Sequence, residues 1–380
     1  MDRRRIVVRF NPKLTSVPAA ADHAIALVER LSPVPLEFRA LDRIGTAIFE
    51  AREDFDFVST LGRIETRLRH ALPCGHVQAQ PDLVHCGLNS PNDEFATDWP
   101  YSKIGAPQAW AVEPGANPSV TIGIIDSGIV LDGEGNVNHP DLDPSRFDLG
   151  TNFLDRDSKP FDCSSHGTRV TGIFAAIRNN GKGIPGMTSE TRVHVCKTLQ
   201  DDSHGLESDF NLAIQEIVDR AVEQGRKVVI NYSAGGESSS PQLENACEYV
   251  RSRDMLLCAA AGKADGIPLY PAALSRTNPN VISVGGIDEN DNPYGPQEAD
   301  ILAPAVFVRS TKPPGYGSGD FYGTNVGTSI ATPFVTGLAA LIWSHNSSLT
   351  GSEVRSRILE SARLKSGHRI VDAAAALPRA

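Results

Sequence analysis

Five short apolar runs recur through the last two thirds of the chain, and helical segments separate several of them. Each run is unbroken rather than alternating, which is typical of a strand buried on both faces of a parallel sheet. Strands that alternate with helices indicate an α/β sheet with right-handed crossovers. The runs are 120–125, 193–196, 228–232, 255–260 and 281–285; the helical segments are 167–177, 207–224, 241–253, 353–359 and 370–377.

Composition narrows the class of protein. At 380 residues, with 40% apolar and 22% charged residues, the chain is typical of an enzyme with one large and one small domain. The formal net charge of −10 argues against nucleic acid as a partner, since phosphate binding needs clustered Lys and Arg. We expect no membrane partner, because no apolar run approaches the length of a span. Residues 1–10 hold four arginines and no apolar signal region, so a cytoplasmic location is slightly favoured over secretion.

Six cysteines occur without CxxC pairs or a metal-like spacing. The sequence favours buried or partly buried free thiols, and one or two disulfides remain open.

The pattern of strand-like and helix-like segments in residues 1–90 differs from that of the rest of the chain and predicts a separate small domain. Their pattern reads strand, helix, strand, strand, helix, strand, which is the ferredoxin-like α+β arrangement. A linker rich in Asn, Asp and Pro follows at 91–99, and the large domain spans 100–380. The predicted strands are 5–10, two pieces within 36–50, and 76–86; the predicted helices are 20–31 and 57–72.

Three residues stand in contexts that favour nucleophilic catalysis. Asp126 ends an apolar strand before a glycine turn, and His166 precedes Gly-Thr at the start of a helical segment. Ser329 lies in Gly-Thr-Ser-Ile-Ala-Thr-Pro before a buried helix, and Pro333 is expected in that helix's first turn, where a missing N–H does no harm. A serine hydroxyl needs a base and an orienting acid beside it. Both partners are present, in the order Asp, His, Ser.

These motifs resemble those of the subtilisin-like serine protease family. The resemblance implies an α/β fold, a subtilisin-like parallel sheet flanked by helices, with a small N-terminal α+β domain. It implies a serine endopeptidase in which Asp126 orients His166, His166 is the base and Ser329 is the nucleophile. The Ser329 backbone N–H would be one oxyanion donor. Residues 1–90 resemble the family's propeptide, which implies a precursor inhibited by its own N-terminal domain.

The resemblance also implies a polypeptide substrate and sites that bind it. No cofactor is required for the chemistry. A structural calcium site is implied at Asp141 and Asn180, whose side-chain oxygens would join loop carbonyls. The residues implied in substrate binding are Ser203, His204 and Gly205 at a strand-like edge, Ser233, Ala234 and Gly235 on one pocket wall, and Ala261 and Gly262 on the other.

Three positions depart from the family pattern. Lys263 stands where the family has Asn, whose amide is the second oxyanion donor. Two milder departures are Ser165, where Gly usually precedes the histidine, and Arg169, where a second His is common. Three consequences of Lys263 are open. Its ammonium can serve as a charged but poorly preorganised donor, turnover can be slow, or the chain can be a pseudoprotease or peptide-binding scaffold with an impaired oxyanion hole.

Overall fold

The computed structural model divides into two compact units, 1–87 and 88–380. It describes residues 91–201, 204–263, 267–314 and 320–377. Within the first unit it describes the backbone of four strands and residues 26 and 28.

The four strands of the first unit form one antiparallel sheet. They are β1 (Arg5–Arg9), β2 (Leu36–Leu41), β3 (Thr46–Ala51) and β4 (Gln78–Pro81). Their spatial order is β2–β3–β1–β4. The strands fall where the sequence predicts them. The two predicted helices lie outside the described residues, at 57–72 and at 20–31 apart from residues 26 and 28. The ferredoxin-like assignment therefore stays a prediction.

The second unit is built on one large sheet. Among the described residues its order is β15–β16–β12–β10–β9–β8–β5–β7–β6, and β11 pairs with β10. Neighbours from β16 to β6 run parallel, whereas β11 and β15 pair antiparallel. The strands are β5 (Val120–Asp126), β6 (Phe147–Asn152), β7 (Arg192–Lys197), β8 (Lys227–Tyr232), β9 (Leu256–Ala260), β10 (Val281–Ile287), β11 (Pro293–Tyr294), β12 (Ile301–Pro304), β15 (Arg363–Lys365) and β16 (His368–Ile370). A hairpin of β13 (Val308–Thr311) and β14 (Tyr322–Asn325) lies apart.

All five predicted parallel strands are present, but the sequence pattern missed edge elements. β6 is half-buried along most of its length, so it lacks the unbroken apolar run that marks a central strand. The helix predicted at 370–377 is wrong at its start, because Ile370 ends β16 and the helix holds only Ala373–Ala376.

Helices cover both faces of the sheet. On one face α3 (His166–Ala175) and α6 (Thr328–His345) enclose the larger apolar core. On the other face α4 (Glu207–Glu223) and α5 (Pro241–Ser252) enclose a second core. The shorter helices are α1 (Trp99–Lys103), α2 (Ala106–Val112), α7 (Gly351–Glu360) and α8 (Ala373–Ala376).

The central helix α6 is buried on nearly every side from Ile330 to Trp343. Being apolar all round, it suits a helix inside a large core. Its length does not make it a bilayer helix: across the described ranges, none of the helices is both long and apolar enough to span a membrane.

Candidate active site

The three predicted catalytic residues are positioned by elements that meet at one edge of the sheet. Asp126 ends β5, and its carboxylate binds His166 at the start of α3. The start of α6 is bonded to Ser233, just after β8, and to Gly262, just after β9. Because β5, β8 and β9 are parallel, their carboxyl ends share that edge. Ser329, the second residue of α6, therefore lies at the same edge, where α/β proteins bind ligands.

Asp126 and His166 form the best-defined contact of the site. His166 Nδ1 lies 2.7 Å from Asp126 Oδ1; the carboxylate is fully buried, whereas 24% of the histidine side chain is exposed. Burial of the ring opposes its protonation, but the Asp126 charge and hydrogen bond, with a smaller contribution from Asp162, outweigh it and raise the pKa of His166. The bond to Nδ1 leaves Nε2 for a second partner, as a general base requires.

A second buried carboxylate, Asp162, supports this pair, and no motif in the sequence pointed to it. The Ser127 hydroxyl donates to Asp162 and accepts from the Gly167 backbone, so the turn after Asp126 is tied to the helix that carries His166. Asp162 is fully buried. Its remaining donors, at 2.5–3.1 Å, are the backbone N–H groups of Ser164, Ser165 and Thr168 and the Thr168 hydroxyl.

Two glycines allow close backbone approaches at that turn, one between the turn and the helix and one between the turn and the segment that precedes the helix. A Cβ on Gly167 would lie 2.2 Å from the Gly128 carbonyl oxygen, and a Cβ on Gly128 would lie 2.3 Å from the Pro160 oxygen. Ser165 occupies the left-handed region, with φ 69°. That conformation favours glycine, which gives a physical reason for the Gly at this position in the family pattern.

The carbonyl of Ser329 is held by a side chain rather than by its own helix. Pro333 is the sixth residue of α6, so the prediction that it lies in the first turn is wrong. Proline has no N–H for the carbonyl four residues earlier, which is that of Ser329. The Ser233 hydroxyl donates to this carbonyl at 2.8 Å instead. Asn231 Nδ2 in turn donates to the Ser233 hydroxyl at 3.0 Å.

Thr328 fastens the start of α6 to the segment after β9. Its hydroxyl accepts from the Gly262 N–H and donates to the Gly262 carbonyl, each at 3.0 Å. The sequence reasoning gave Thr328 no role, although its place beside Ser329 was a signal.

Lys263 differs from its surroundings. It follows the anchored Gly262, yet its side chain is exposed. The described part of the chain gives it no hydrogen-bond or ion-pair partner. Nothing in this arrangement fixes the ammonium as an oxyanion donor.

The predicted pocket walls are brought together, whereas the edge residues are only partly described. Leu269 donates to Ala261, and Tyr270 exchanges two hydrogen bonds with Gly236, so one returning segment bridges both walls. Ser233 is buried, and Ala234 and Gly235 follow it toward the surface. At the predicted edge His204 and Gly205 are exposed, and Ser203 lies outside the described residues.

The predicted calcium ligands also meet, but their geometry does not suit a cation. Asn180 Nδ2 donates to Asp141 Oδ1 at 2.8 Å, and the Ile184 N–H donates to Oδ2 at 3.1 Å. Asn180 Oδ1 accepts the Lys182 N–H at 2.8 Å. Burial, partly offset by these donors, raises the pKa of Asp141 to about 7. Calcium needs converging oxygens; here the amide nitrogen faces the carboxylate, so the residues present do not fit the ion.

Four cysteines are described, and all are free thiols: Cys163, Cys196, Cys247 and Cys258. This agrees with the favoured interpretation for these positions; Cys74 and Cys86 lie outside the described residues.

Comparison with known proteins gives this geometry a family context. The model of the subtilase family matches residues 117–375. Thermitase from Thermoactinomyces vulgaris is 34% identical over 286 residues, which cover 73% of this chain and 93% of thermitase. Subtilisin E from Bacillus subtilis (strain 168) is 32% identical over 75% of this chain and 72% of its own length. M-protease from Shouchella clausii (strain KSM-K16) is 29% identical over 94% of this chain and 93% of its own.

Solved structures agree on the fold. A protease from Pseudoalteromonas arctica PAMC 21717 superposes with a TM-score of 0.63 at 27% identity, over 76% of this chain and 99% of that one. Sphericase superposes with a TM-score of 0.55 at 28% identity, over 67% and 89%. The parallel sheet flanked by helices is thus subtilisin-like, as the sequence predicted. The chain belongs to the subtilase family of serine endopeptidases.

Proposed function

We propose that this chain hydrolyses peptide bonds through Asp126, His166 and Ser329. The observation that carries the proposal is the 2.7 Å bond between His166 Nδ1 and Asp126, with the start of the Ser329 helix at the same edge of the sheet. Membership of the subtilase family supports a polypeptide substrate.

In the proposed reaction His166 Nε2 takes the Ser329 hydroxyl proton as Oγ attacks the scissile carbonyl carbon. The carbonyl π electrons move onto oxygen, and the Ser329 backbone N–H donates to that oxyanion. When the intermediate collapses, the C–N bond breaks and His166 returns the proton to the leaving amine. Water, deprotonated by His166, then cleaves the acyl ester by the reverse sequence. Asp126 holds the ring and stabilises its cation throughout.

We also propose that the N-terminal unit inhibits the uncleaved precursor. Two observations support it. The four strands of that unit pair in the order β2–β3–β1–β4 as an independent sheet. The alignment with M-protease covers 94% of this chain, more than residues 88–380 alone can supply, so it extends into the N-terminal unit.

The experiment is incubation of the purified full chain, followed by intact mass at intervals and labelling with a fluorophosphonate. We expect cleavage near the linker at 91–99 and a covalent label on Ser329. Ser329→Ala should show neither. A matched control, Ser348→Ala in an exposed turn after α6, should behave as the parent chain does. An uncleaved chain that takes up no label would overturn the protease proposal.

A second candidate, a peptide-binding scaffold of the same fold, is favoured by Lys263 alone. Its side chain is exposed and has no partner among the described residues, and it stands where the family uses a fixed amide donor. Labelling separates the candidates, because a scaffold without an activated serine would bind peptides but leave Ser329 unmodified.

A further inference from the structure

Three metal-binding side chains meet on the face of the sheet covered by α4, away from α3 and α6. His194 and Cys196 are two residues apart on β7, so their side chains point to the same face. Glu216 reaches them from α4. One ligand atom from each lies within 4.8 Å of the other two. His194 Nε2 is 2.9 Å from Glu216 Oε1, and Cys196 Sγ is 3.6 Å from that same oxygen.

The cluster is set into an apolar layer. His194 is 2% exposed and Cys196 is fully buried, and Cys196 belongs to the core formed with Ile214, Ile217 and Val218. Polar groups at such a place need partners. The neighbouring strand β6 leaves room for them at Gly150, where a Cβ would lie 2.4 Å from Glu216 Oε1 and 2.6 Å from His194 Nε2.

A further carboxylate stands behind the imidazole. Asp148 Oδ2 lies 3.6 Å from His194 Nδ1, and that nitrogen is buried with no hydrogen bond. Arg220 fixes the carboxylate by donating from Nε to Oδ2 at 2.7 Å and from Nη2 to Oδ1 at 2.8 Å. A carboxylate behind the far nitrogen of a ligating histidine is a recurrent feature of zinc sites, where it orients the ring.

We propose that His194, Cys196 and Glu216 bind one zinc ion through Nε2, Sγ and a carboxylate oxygen. One nitrogen, one sulfur and one oxygen ligand suit Zn²⁺ better than calcium or magnesium. Zinc bonds of about 2.0–2.3 Å put tetrahedral ligand atoms roughly 3.3–3.8 Å apart, so small side-chain shifts complete the geometry. The thiol binds as thiolate and releases its proton to solvent.

Glu216 connects the cluster to a cavity. A cavity of about 690 Å³ adjoins the cluster and is lined by Gly150 and Glu216, together with Lys159 and Arg220. A water molecule from this cavity can complete the shell. The ion would join β7 to α4, which points to a role in stability, and the proposal does not depend on the triad.

The test uses the full-length Ser329→Ala chain, reduced and freed of metal, so that self-cleavage cannot interfere. Cobalt(II) is added first, and zinc is then titrated in competition. We expect one equivalent of cobalt with a thiolate-to-cobalt charge-transfer band, loss of the band on adding zinc, and a zinc-dependent rise in the melting temperature. Cys196→Ser should abolish the band, whereas Cys247→Ser, a buried cysteine on α5 outside the cluster, should keep it.

Glu216→Gln tests the site if Cys196→Ser does not fold, because Glu216 is partly exposed and the amide keeps its shape. We expect it to weaken zinc binding at least tenfold by competition. Absence of a charge-transfer band in the parent chain, a band that persists in Cys196→Ser, or unchanged zinc affinity in Glu216→Gln would overturn the proposal.

Discussion

The two halves of the active site are held to different degrees. On the Asp126 side, buried hydrogen bonds at 2.5–2.9 Å through Asp162 and Ser127 connect the turn after β5 to α3. On the oxyanion side, the Thr328 hydroxyl holds Gly262 through two hydrogen bonds, and the next side chain, Lys263, is exposed. The base is therefore preorganised, whereas the Lys263 ammonium, at the family's position for the second donor, is not held in place by any residue that the structure describes. We therefore expect the Asp126–His166 side to decide whether Ser329 is activated, and the oxyanion side to decide the turnover rate.

On the Asp126–His166 side, we expect the largest loss of activity from Asp126→Asn. The amide can hold the ring but favours the wrong tautomer and cannot stabilise the imidazolium. We expect kcat to fall by about 10⁴-fold with KM nearly unchanged. The measurement is steady-state hydrolysis of a peptide substrate by the matured enzyme. A loss below tenfold would show that Asp126 is not the orienting acid.

On the oxyanion side, the test is Lys263→Asn, which supplies the short amide side chain of the family pattern. A single oxyanion donor is worth roughly 10²–10³ in kcat, a magnitude that comes from subtilisin itself. Because none of the described residues holds the Lys263 ammonium in place, we expect turnover to rise, by on the order of 10-fold or more. Lys263→Ala is the control and should leave turnover near the parent value. A fall in both variants would mean that the ammonium is itself a donor.

The same contrast explains what the sequence could and could not predict. Asp126, His166 and Ser329 sit in short motifs whose neighbours have fixed backbone roles, so local pattern was sufficient to name them as candidates. Asp162 connects to Ser127, and Thr328 to Gly262, through hydrogen bonds between residues distant in sequence, which only the fold brings near. Pro333 was misplaced because the start of α6 depends on tertiary anchors. β6 was missed because an edge strand has no unbroken apolar run.

Asp162→Asn should weaken the support of the Asp126–His166 pair without removing a member of the triad. Its charge contributes to raising the pKa of His166, and the neutral base is the active form. We therefore expect the acid limb of kcat/KM to lie above the ordinary histidine value of about 6.5 in the parent and to move to lower pH in the variant. Replacing one acceptor oxygen by NH₂ also leaves buried donors unpaired, at a cost of about 2–4 kcal/mol in the free energy of unfolding. An unmoved acid limb would limit Asp162 to a structural role.

The smallest effect concerns the residue before the base. Ser165 has φ 69°, which costs a non-glycine residue about 1 kcal/mol or more. Ser165→Gly removes this strain and keeps the backbone N–H that donates to Asp162. Glycine also makes the unfolded chain more flexible, which lowers the free energy of unfolding by roughly 0.5–1 kcal/mol and offsets part of the gain. We expect a net gain of up to about 0.5 kcal/mol by chemical denaturation of the Ser329→Ala chain. The neighbouring change Ser164→Gly is the matched control. It removes the hydroxyl that accepts from the His166 N–H at 3.2 Å and relieves no positive φ. The lost hydrogen bond and the freer unfolded chain should together destabilise the fold by about 1 kcal/mol. Equal losses in both variants would show that the left-handed turn at Ser165 carries no strain.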